Sequence, residues 1–364
     1  MGSKRILHTT NDFSFNGTGH TLSTLELVLG QVQSGHRVTV ACLESDSSMR
    51  DLLDEFGVEL IELVSWKKLA LNRKTLKKFR KVIHSAGIVH VHTGKSMIAA
   101  FLASPIHFLR SSVSTVHNPH QHSTRLLYCA RQVVALSPVQ VEDIRRQTFG
   151  LVKATSIPNG TLQGLRTSYP FDRDHTEVPP FEPNSVLFVG GLYPRKGLDV
   201  LLKAVSKVHH CGIEANLYVI GNRDNPSVEE LAEQLGIGRY VHFLGFKKDP
   251  ITYMANADLF VLPSREEGFG NVLVEARAAR VPIIASNVGG IPSALSGGRA
   301  GVLVPPEDVD GLATQISKVL SDAKWAKELR ARTSDGIEEF FVSRFVKAYD
   351  DVYQKVVRTG QKRD

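Results

Sequence analysis

The chain alternates short apolar runs with longer segments whose apolar residues recur at helical spacing. The runs predicted as strands are residues 5–10, 37–43, 87–93, 112–117, 133–137, 154–158, 185–190, 216–221, 240–245, 258–263 and 281–286. A further strand is predicted at the start of 301–320, where a turn and a helix follow it. Helical patterns occur between them, for example at 20–33, 198–209, 228–235 and 271–279. Apolar strands separated by helices are typical of doubly wound parallel sheets. The pattern therefore predicts an α/β protein.

The chain is long enough for two domains of this kind. Its 364 residues are 42% apolar, which supports two full cores. Residues 166–184 are rich in Pro, Asp and Thr and show little periodicity, as linkers do. We therefore expect an N-terminal domain over residues 1–165, a linker over 166–184 and a C-terminal domain over 185–342.

The positive charge of the chain is concentrated in its first half. Residues 1–165 carry 19 Lys+Arg against 11 Asp+Glu, whereas the remainder carries 25 against 26. The three cysteines form no CxxC or Cys/His cluster, which argues for a reducing compartment and against a structural zinc site. The first residues lack the apolar core of a signal peptide, and no run of 18 apolar residues occurs. We therefore expect a cytoplasmic protein that does not span a membrane.

The most informative stretch is 257–292, which reads as strand, glycine loop, helix, strand and glycine turn. A loop that opens a helix at the carboxyl end of a parallel strand directs backbone N–H groups into a cleft, where they can hold an anion or sugar hydroxyls. Gly268 and Gly270 allow the main chain to approach a ligand closely. Glu267 in the loop and Glu275 on the helix can accept hydrogen bonds from hydroxyls. Their separation in space cannot be read from the sequence, so a glycosidase-type carboxylate pair is not assumed.

This stretch resembles the E-x7-E motif of the family 4 retaining glycosyltransferases. The motif is Glu267-Gly-Phe-Gly-x4-Glu275, flanked by LPS before it and by VPIIASNVGG after it. The resemblance covers essentially the whole chain, and it is most specific in residues 185–306. It implies a GT-B fold, in which two Rossmann-like doubly wound parallel-sheet domains face each other across a cleft. It also implies that the N-terminal domain binds the acceptor and that a terminal helix at about 343–358 packs back on that domain.

The resemblance assigns most of the donor site to the second half. Glu267 and the backbone from Gly268 to Asn271 would hold the donor sugar, and Glu275 would hold the ribose. Basic residues after the first strand of this half would neutralise the diphosphate as the leaving oxygen gains charge. Gly191 stands where many members carry an arginine, so Arg195 would supply the missing charge beside Lys196. The full set of donor-side residues in this half is Arg195, Lys196, Phe246 beside the nucleobase, Glu267, Gly268, Phe269, Gly270, Asn271 and Glu275.

Two features of the first half also match the family. Gly17 and Gly19 occupy the place of the glycine-rich loop after the first strand, although Thr18 separates them; an ordinary turn explains this pattern equally well. His117 matches the histidine that approaches the donor sugar. Ten of the fourteen histidines lie within the first 122 residues, and we expect most of the others to satisfy only local backbone groups. His120 and His122 are too weak a pattern to predict a metal site.

Residues 66–84 form a basic amphipathic pattern. Leu76, Phe79 and Ile83 recur at helical spacing, and Lys and Arg cover the other faces. Such a helix can lie on an anionic membrane, bind an acidic acceptor, or be the solvated outer helix of a sheet domain. Nucleic acid is not expected as a partner, because no aromatic interleaving or known binding motif accompanies the basic run.

The sequence is therefore interpreted as a cytoplasmic retaining glycosyltransferase, peripheral on the inner face of a membrane if residues 66–84 bind lipid. The resemblance implies that it moves a sugar from a nucleoside diphosphate to a sugar, lipid-linked or small-molecule acceptor in cell-surface glycan, glycolipid or glycoside synthesis. It also implies that neither a metal nor another cofactor is required, since Arg and Lys take the metal's part. Two alternatives stay open, namely a GT-B nucleotide-sugar epimerase and a non-catalytic membrane-associated partner protein.

Overall fold

The computed structural model describes residues 2–15, 19–63, 73–118, 122–164, 180–222, 226–247 and 249–361. The chain divides into two compact units. Unit 1 contains residues 1–168 together with 339–364, and unit 2 contains residues 169–338. Most of the predicted linker, at 165–179, lies outside the described residues, as do Gly17 and residues 66–72.

Each unit is built on one parallel sheet. The strands of unit 1 are β1 (Arg5–Thr9), β2 (Arg37–Cys42), β3 (Glu59–Glu62), β4 (Ile88–Val91), β5 (Ser112–Val116), β6 (Gln132–Ala135) and β7 (Ala154–Ser156). Those of unit 2 are β8 (Ser185–Val189), β9 (Asn216–Ile220), β10 (Val241–Gly245), β11 (Leu259–Leu262), β12 (Ile283–Ser286) and β13 (Val302–Val304). The strand orders are β3-β2-β1-β4-β5-β6-β7 and β10-β9-β8-β11-β12-β13. The prediction of an α/β chain with two doubly wound parallel sheets is confirmed.

Helices connect the strands. Those of unit 1 are α1 (Gly19–Gln33), α2 (Ser47–Glu55), α3 (Arg73–Ser85), α4 (Gly94–Ala103), α5 (Pro105–Ser111), α6 (Pro138–Gln147) and the terminal α14 (Val342–Gln361). Those of unit 2 are α7 (Leu198–His210), α8 (Pro226–Gln234), α9 (Pro250–Asn256), α10 (Asn271–Ala278), α11 (Ile291–Ala294), α12 (Val309–Ser321) and α13 (Ala323–Arg332). A 3-10 helix runs over His122–Cys129.

The terminal helix α14 packs on unit 1 beside α1. A Cβ added to Gly30 in α1 would lie 2.6 and 2.7 Å from methyl groups of Val346 and Val342, so the glycine allows the two helices to approach closely. Tyr349 and Tyr353 of α14 are fully buried against the same sheet. The last helix in the sequence is thus part of the core formed by the first strands.

The sheet face of unit 1 that is covered by α1 and α14 changes from apolar to polar along its strands. Side chains of a strand alternate between faces, so Ile6 and His8 of β1 point to the same side. The same holds for Ile88, His90 and His92 on and after β4, and for Val113, Thr115 and His117 on and after β5. The first residue of each set lies in the apolar core, and the polar residues follow towards the carboxyl ends of the strands. A cluster of buried polar side chains therefore forms at that edge.

The predicted segments lack one strand of unit 1, β3, and three of its helices, α2, α5 and α6. The strand β3 (Glu59–Glu62) has four residues, two of them glutamates, and α2 (Ser47–Glu55) is short. The strand pairs in parallel with β2, where Val40 lies opposite Leu60. Its short, half-charged sequence gives no apolar run to detect.

Candidate functional site

The candidate donor site in unit 2 is formed by two loops that follow neighbouring strands. The strands β8 and β11 pair in parallel, so their carboxyl ends lie at the same edge of the sheet. After β8 the chain makes a 3-10 turn at Pro194–Lys196 and then enters α7. After β11 it passes through Glu267 and enters α10 at Asn271. Residues about 70 positions apart in the sequence are thereby brought together.

Lys196 and Glu267 form an ion pair between these two loops. Lys196 Nζ donates to Glu267 Oε2, and the side chains are only 13% and 11% exposed. Two opposite charges largely removed from water neutralise each other here. The sequence predicted both residues but not their contact.

Close backbone approaches fix the positions of the two loops. Gly197 has φ +70°, and a Cβ there would lie 2.0 Å from the carbonyl oxygen of Pro263. Gly289, with φ +53°, follows β12, and its Cβ would lie 2.0 Å from the carbonyl oxygen of Glu267. The N–H of Gly290 donates to that same carbonyl at 3.2 Å. The Glu267 backbone is thus held on one side by the turn after β12. This close approach requires glycine at position 289, because any Cβ there would clash with the Glu267 carbonyl.

A second ion-pair group, centred on Arg265, lies beside the first. Its guanidinium binds both carboxylate oxygens of Asp199 at 2.7 and 2.8 Å, and it also bonds Glu307. Hydrogen bonds to these two carboxylates raise the pKa of Arg265, and the Arg265 hydrogen bond lowers the pKa of Asp199. Arg265 N donates to the Arg195 carbonyl at 2.8 Å. Arg265 was not among the predicted residues, and it fastens the loop before Glu267 to the start of α7.

The other predicted residues of unit 2 differ in exposure. The Arg195 side chain is exposed, with its guanidinium 5.8 Å from the ring centre of Tyr193, so it does not share the buried setting of Lys196. Glu275 is half-buried on α10. Phe269 is 2% exposed and belongs to the core, whereas Phe246, directly after β10, is 53% exposed.

The glycine loop begins α10 in a manner suited to ligand binding. Gly270 precedes the helix with φ +88° and ψ 58°, a left-handed conformation that favours glycine. The N–H groups of the first helical turn then point back towards the loop that carries Glu267 and Gly268. The predicted combination of carboxylate and backbone donors is therefore present in one place.

In unit 1, His117 lies at the carboxyl end of β5. Its Nε2 is 3.0 Å from Nδ1 of His92, which follows the neighbouring strand β4. Its Nδ1 is buried and has no hydrogen-bond partner among the described residues. Burial holds the pKa of His117 well below its usual value, with a smaller effect from His20. His117 is thus a neutral imidazole with one nitrogen held and one available. Gly19 begins α1, and Gly17 lies outside the described residues.

The expectation that most of the remaining histidines satisfy only local backbone groups is wrong. Side chains contact His36 (Asp350) and His84 (Ser104), and they also contact His8, His90 and His92. His8 Nδ1 is 2.9 Å from His92 Nε2, and His8 Nε2 is 2.8 Å from Gln31 Oε1. His90 contacts the Tyr353 hydroxyl at 2.8 Å and the Thr115 hydroxyl at 2.7 Å. The side chains of this network come from three strands and two helices, which explains why no local sequence pattern reveals it.

The buried histidines are arranged as hydrogen-bonding groups. Ring nitrogens of His8, His90 and His92 lie within 4.8 Å of one another, a spacing that a metal ion could span. Both nitrogens of His8 and both of His90 are already hydrogen-bonded, however, and a metal would have to displace those bonds. Burial lowers the pKa of His8 to about 4, and burial with neighbouring histidines holds that of His90 and His92 well below normal. The cluster is a neutral hydrogen-bonded network.

Family models match both halves of the chain. The model described as "Glycosyl transferases group 1" matches residues 183–322, and that described as "Glycosyltransferase Family 4" matches residues 17–161. Together they cover more than three quarters of the chain. The chain belongs to glycosyltransferase family 4. The region of this chain that the first model matches includes Lys196, Glu267 and Glu275, and the region that the second matches includes Gly17 and His117.

Curated relatives of this glycosyltransferase share about a third of its residues over the matched regions. D-inositol 3-phosphate glycosyltransferase of Corynebacterium jeikeium is 34% identical over 39% of this chain and 36% of its own length. Phosphatidyl-myo-inositol mannosyltransferase of Mycolicibacterium smegmatis is 33% identical over 57% of this chain and 54% of its own length. The chain therefore spans a third to about a half of the length of these relatives.

Solved structures of glycosyltransferases confirm the GT-B fold. HepE of Anabaena, in complex with UDP and glucose, matches with a TM-score of 0.79 over 97% of this chain and 100% of its own, at 21% identity. Within the residues that the structure describes, none of the helices of this glycosyltransferase is both long and apolar enough to cross a bilayer.

Proposed function

We propose that the protein is a retaining glycosyltransferase that moves a sugar from a nucleoside diphosphate sugar to an acceptor hydroxyl. The observation that carries this proposal is the Lys196–Glu267 ion pair, held at the carboxyl edge of the second sheet. Ligands of open α/β sheets bind outside the carboxyl ends of the strands. The complexes with UDP of the similar Anabaena protein support a nucleoside diphosphate as the common element of the donor.

The ion pair is suited to exchange partners when the donor binds. A diphosphate beside Lys196 would replace the carboxylate as its counter-charge, and Glu267 would then accept a hydrogen bond from a sugar hydroxyl. Both side chains are already largely removed from water, so little further desolvation is needed. Glu275 on α10 is assigned to the ribose hydroxyls and Phe246 to the face of the base, with Arg195 as a second cation near the diphosphate.

The chemistry would depend on stabilising the leaving diphosphate. As the bond from the anomeric carbon to the phosphate oxygen breaks, the oxygen gains negative charge, which Lys196 stabilises electrostatically. The acceptor oxygen attacks on the same face, and its proton passes to the leaving phosphate, so configuration is retained without a protein nucleophile. Fixed cations here take the part that a divalent metal has in other transferases. We therefore expect transfer to continue in the presence of EDTA.

Thermal stabilisation and product analysis test this function. A nucleotide sugar that binds the folded protein at 100 times its Kd adds about 2.7 kcal/mol of stability. We expect one nucleotide sugar of a panel to raise the Tm and, with acceptor present, to release its nucleoside diphosphate. A Tm that no nucleotide sugar changes would contradict the proposal. Conversion of the donor to a new nucleotide sugar or a free epimer without any acceptor would instead favour the epimerase.

We further propose that the acceptor is presented at an anionic membrane surface. Residues 63–141 contain twelve Lys+Arg and no Asp or Glu, a charge asymmetry that spans 79 positions. Within it, α3 exposes Lys77, Lys78, Arg80 and Lys81, while Phe79 and Ile83 are buried in the core of unit 1. The helix predicted within 66–84 is thus present, and its basic face is solvent-accessible.

An apolar stripe lies beside this basic helix. Along α4 and α5 the exposed side chains at helical spacing are Ile98, Phe101, Leu102, Ile106 and Leu109, which are 39–72% exposed. The helix α4 packs against α3, so the stripe and the basic face are on neighbouring elements. Exposed apolar residues bordered by cations fit the interface of an anionic bilayer. The phosphatidyl-myo-inositol specificity in the name of one relative is consistent with a lipid acceptor.

Vesicle binding tests the membrane part of the proposal. Each Lys or Arg near an anionic surface contributes about 1 kcal/mol. We expect the protein to sediment with vesicles that contain phosphatidylglycerol, and the double variant Lys77→Glu/Lys81→Glu to bind at least about tenfold more weakly. A matched control is Lys324→Glu/Lys327→Glu, which changes two exposed lysines of α13 in unit 2. Equal binding of both double variants would refute an orientation through α3.

A further inference from the structure

The amide of Gln31 lies at the junction of two hydrogen-bond chains in unit 1. Its Oε1 is 2.8 Å from His8 Nε2, and its Nε2 donates to the Tyr353 hydroxyl at 3.0 Å. Gln31 is fully buried in α1, and Tyr353 is fully buried in α14. An amide has a defined polarity, because its oxygen only accepts and its nitrogen only donates. The orientation of this one group therefore sets the direction of every bond that follows from it.

The first chain runs from Gln31 through three histidines. Since Gln31 Oε1 accepts, His8 must carry its proton on Nε2, which leaves Nδ1 as an acceptor. His92 Nε2 then donates to His8 Nδ1 at 2.9 Å, so His92 Nδ1 is also an acceptor. His117 Nε2 donates to that atom at 3.0 Å. In a neutral imidazole only one nitrogen is protonated, so Nδ1 of His117 carries a lone pair.

The second chain runs from Gln31 in the opposite sense. Tyr353 accepts from Gln31 and donates its own proton to His90 Nδ1 at 2.8 Å. His90 Nε2 donates to the Thr115 hydroxyl at 2.7 Å, and Thr115 contacts the Tyr349 hydroxyl at 2.7 Å. This second chain holds the amide in place, because a flipped Gln31 would have to reverse both chains together.

We propose that Gln31 is a positioning residue that fixes the tautomers of His8 and His92 and so presents Nδ1 of His117 as a hydrogen-bond acceptor. That nitrogen is buried and unpaired among the described residues, so a hydroxyl donor of a ligand is the group that it fits. The tautomer itself follows from the contacts of unit 1; only the identification of that hydroxyl as part of the sugar donor or acceptor rests on the proposed function. Loss of the chain would leave His117 free to present N–H instead, towards which a ligand hydroxyl could act only as the acceptor.

The burial of the histidines keeps the chain neutral. Desolvation lowers the pKa of each of the three histidines, and for His92 and His117 neighbouring histidines lower it further. At neutral pH each ring therefore has one donor and one acceptor, as the chain requires.

Nitrogen-15 NMR of histidine-labelled protein tests the tautomers without ligand or turnover. Protonated and unprotonated ring nitrogens have well-separated shifts, and the His117 signals are assigned by their loss in His117→Gln. We expect Nε2 of His117 to be protonated and Nδ1 unprotonated in the wild-type protein. A protonated Nδ1 would overturn the proposal, whatever the enzyme transfers.

Variants of the junction test the role of Gln31. In Gln31→Met, and in Tyr353→Phe, which removes the partner that orients the amide, we expect the His117 nitrogen shifts to move to values of a tautomer mixture. The matched control Tyr349→Phe lies at the far end of the second chain and should leave them unchanged. Transfer by Gln31→Met should fall about tenfold in kcat/KM, the scale of one hydrogen bond, with a Tm close to that of Tyr349→Phe. Unchanged His117 shifts in Gln31→Met would show that Gln31 does not set the tautomer.

Discussion

Removing the lysine of the Lys196–Glu267 ion pair should destabilise unit 2 and abolish most transfer. In Lys196→Met the Glu267 carboxylate, which is 11% exposed, loses the cation that neutralises it. Removing one partner of a buried pair costs about 3–5 kcal/mol. We expect the lower end, about 3 kcal/mol, because both groups keep some contact with water. For a unit of this size that is a fall in Tm of about 6–12 °C.

The second half of the prediction is that the loss is not additive. Glu267→Gln removes the carboxylate charge that Lys196→Met leaves unpaired. The double variant Lys196→Met/Glu267→Gln should therefore lose about 2 kcal/mol less stability than the sum of the losses of the two single variants. The assay is thermal unfolding of the four proteins at equal concentration without ligand. Lys207→Met is the matched control, since its partner Asp310 is 81% exposed and such surface pairs contribute about 0–1 kcal/mol.

Turnover separates the structural from the chemical role of Lys196. Loss of an electrostatic contact to the leaving group typically lowers kcat by about 100-fold or more. We expect Lys196→Met to show this loss at a temperature where it is fully folded, and Lys207→Met to retain wild-type turnover. A Tm within 1–2 °C of wild type (about 0.5 kcal/mol), or additive losses in the cycle, would refute the buried pair. Unchanged turnover of Lys196→Met would refute its assignment to the diphosphate.

Three further outcomes follow from the structure. Burial lowers the pKa of His8 from 6.5 to about 4. The stability that the neutral side chain contributes is therefore complete above pH 6.5, and it decreases by about 3 kcal/mol as the pH falls to 4. Urea unfolding at pH 7 and pH 4.5 measures this loss of unfolding free energy, which should be smaller in His8→Asn. Gly289→Ala should destabilise unit 2 by at least about 2 kcal/mol, since φ is +53° and the Cβ would lie 2.0 Å from the Glu267 carbonyl oxygen; melting within 1 °C of wild type (well under 1 kcal/mol) would contradict that contact. Arg277→Met should cost about 3 kcal/mol, because the buried guanidinium donates to the carbonyls of Thr333, Ala294 and Asp335; Lys327→Met, at an exposed position of α13, is its control.

The sheets were predictable because most of their strands are apolar runs of three to six residues between helical patterns. Strand positions agree to within one or two residues in most cases, for example residues 37–43 against Arg37–Cys42. The exception is β3, whose ELIE sequence carries two glutamates and lies at the edge of its sheet. An edge strand with one buried side chain lacks the apolar run on which such a prediction depends.

The loop that bears Glu267 could be predicted, but its partners could not. Glycines before a helix and a carboxylate in the loop are local signals, and they occur within residues 267–271. The contact with Lys196 depends on β8 lying next to β11, which is a property of strand order and not of local sequence. The role of Arg265 likewise depends on Asp199 and Glu307, which are 66 and 42 positions away.

The histidine network shows the same limit more clearly. His8 and His92 are 84 positions apart, and His90 and Tyr353 are 263 apart. The one signal available in the sequence is polar residues at every second position, on the strand face that should be buried. They are His8 in the first strand, His90 and His92 on and after the fourth, and Thr115 and His117 on and after the fifth. Polar residues at positions that should face the core indicate a buried network, although not its connections.

The stereochemistry of the first product tests the account most directly. The enzyme, a nucleotide sugar that raises its Tm and an acceptor are mixed, and proton NMR follows the anomeric signals of donor and product from the start. The account predicts a glycoside with the same anomeric configuration as the donor, formed together with one nucleoside diphosphate, and formed about 100-fold more slowly, or slower still, by Lys196→Met. A product of inverted configuration, or equal product formation by Lys196→Met, would contradict it.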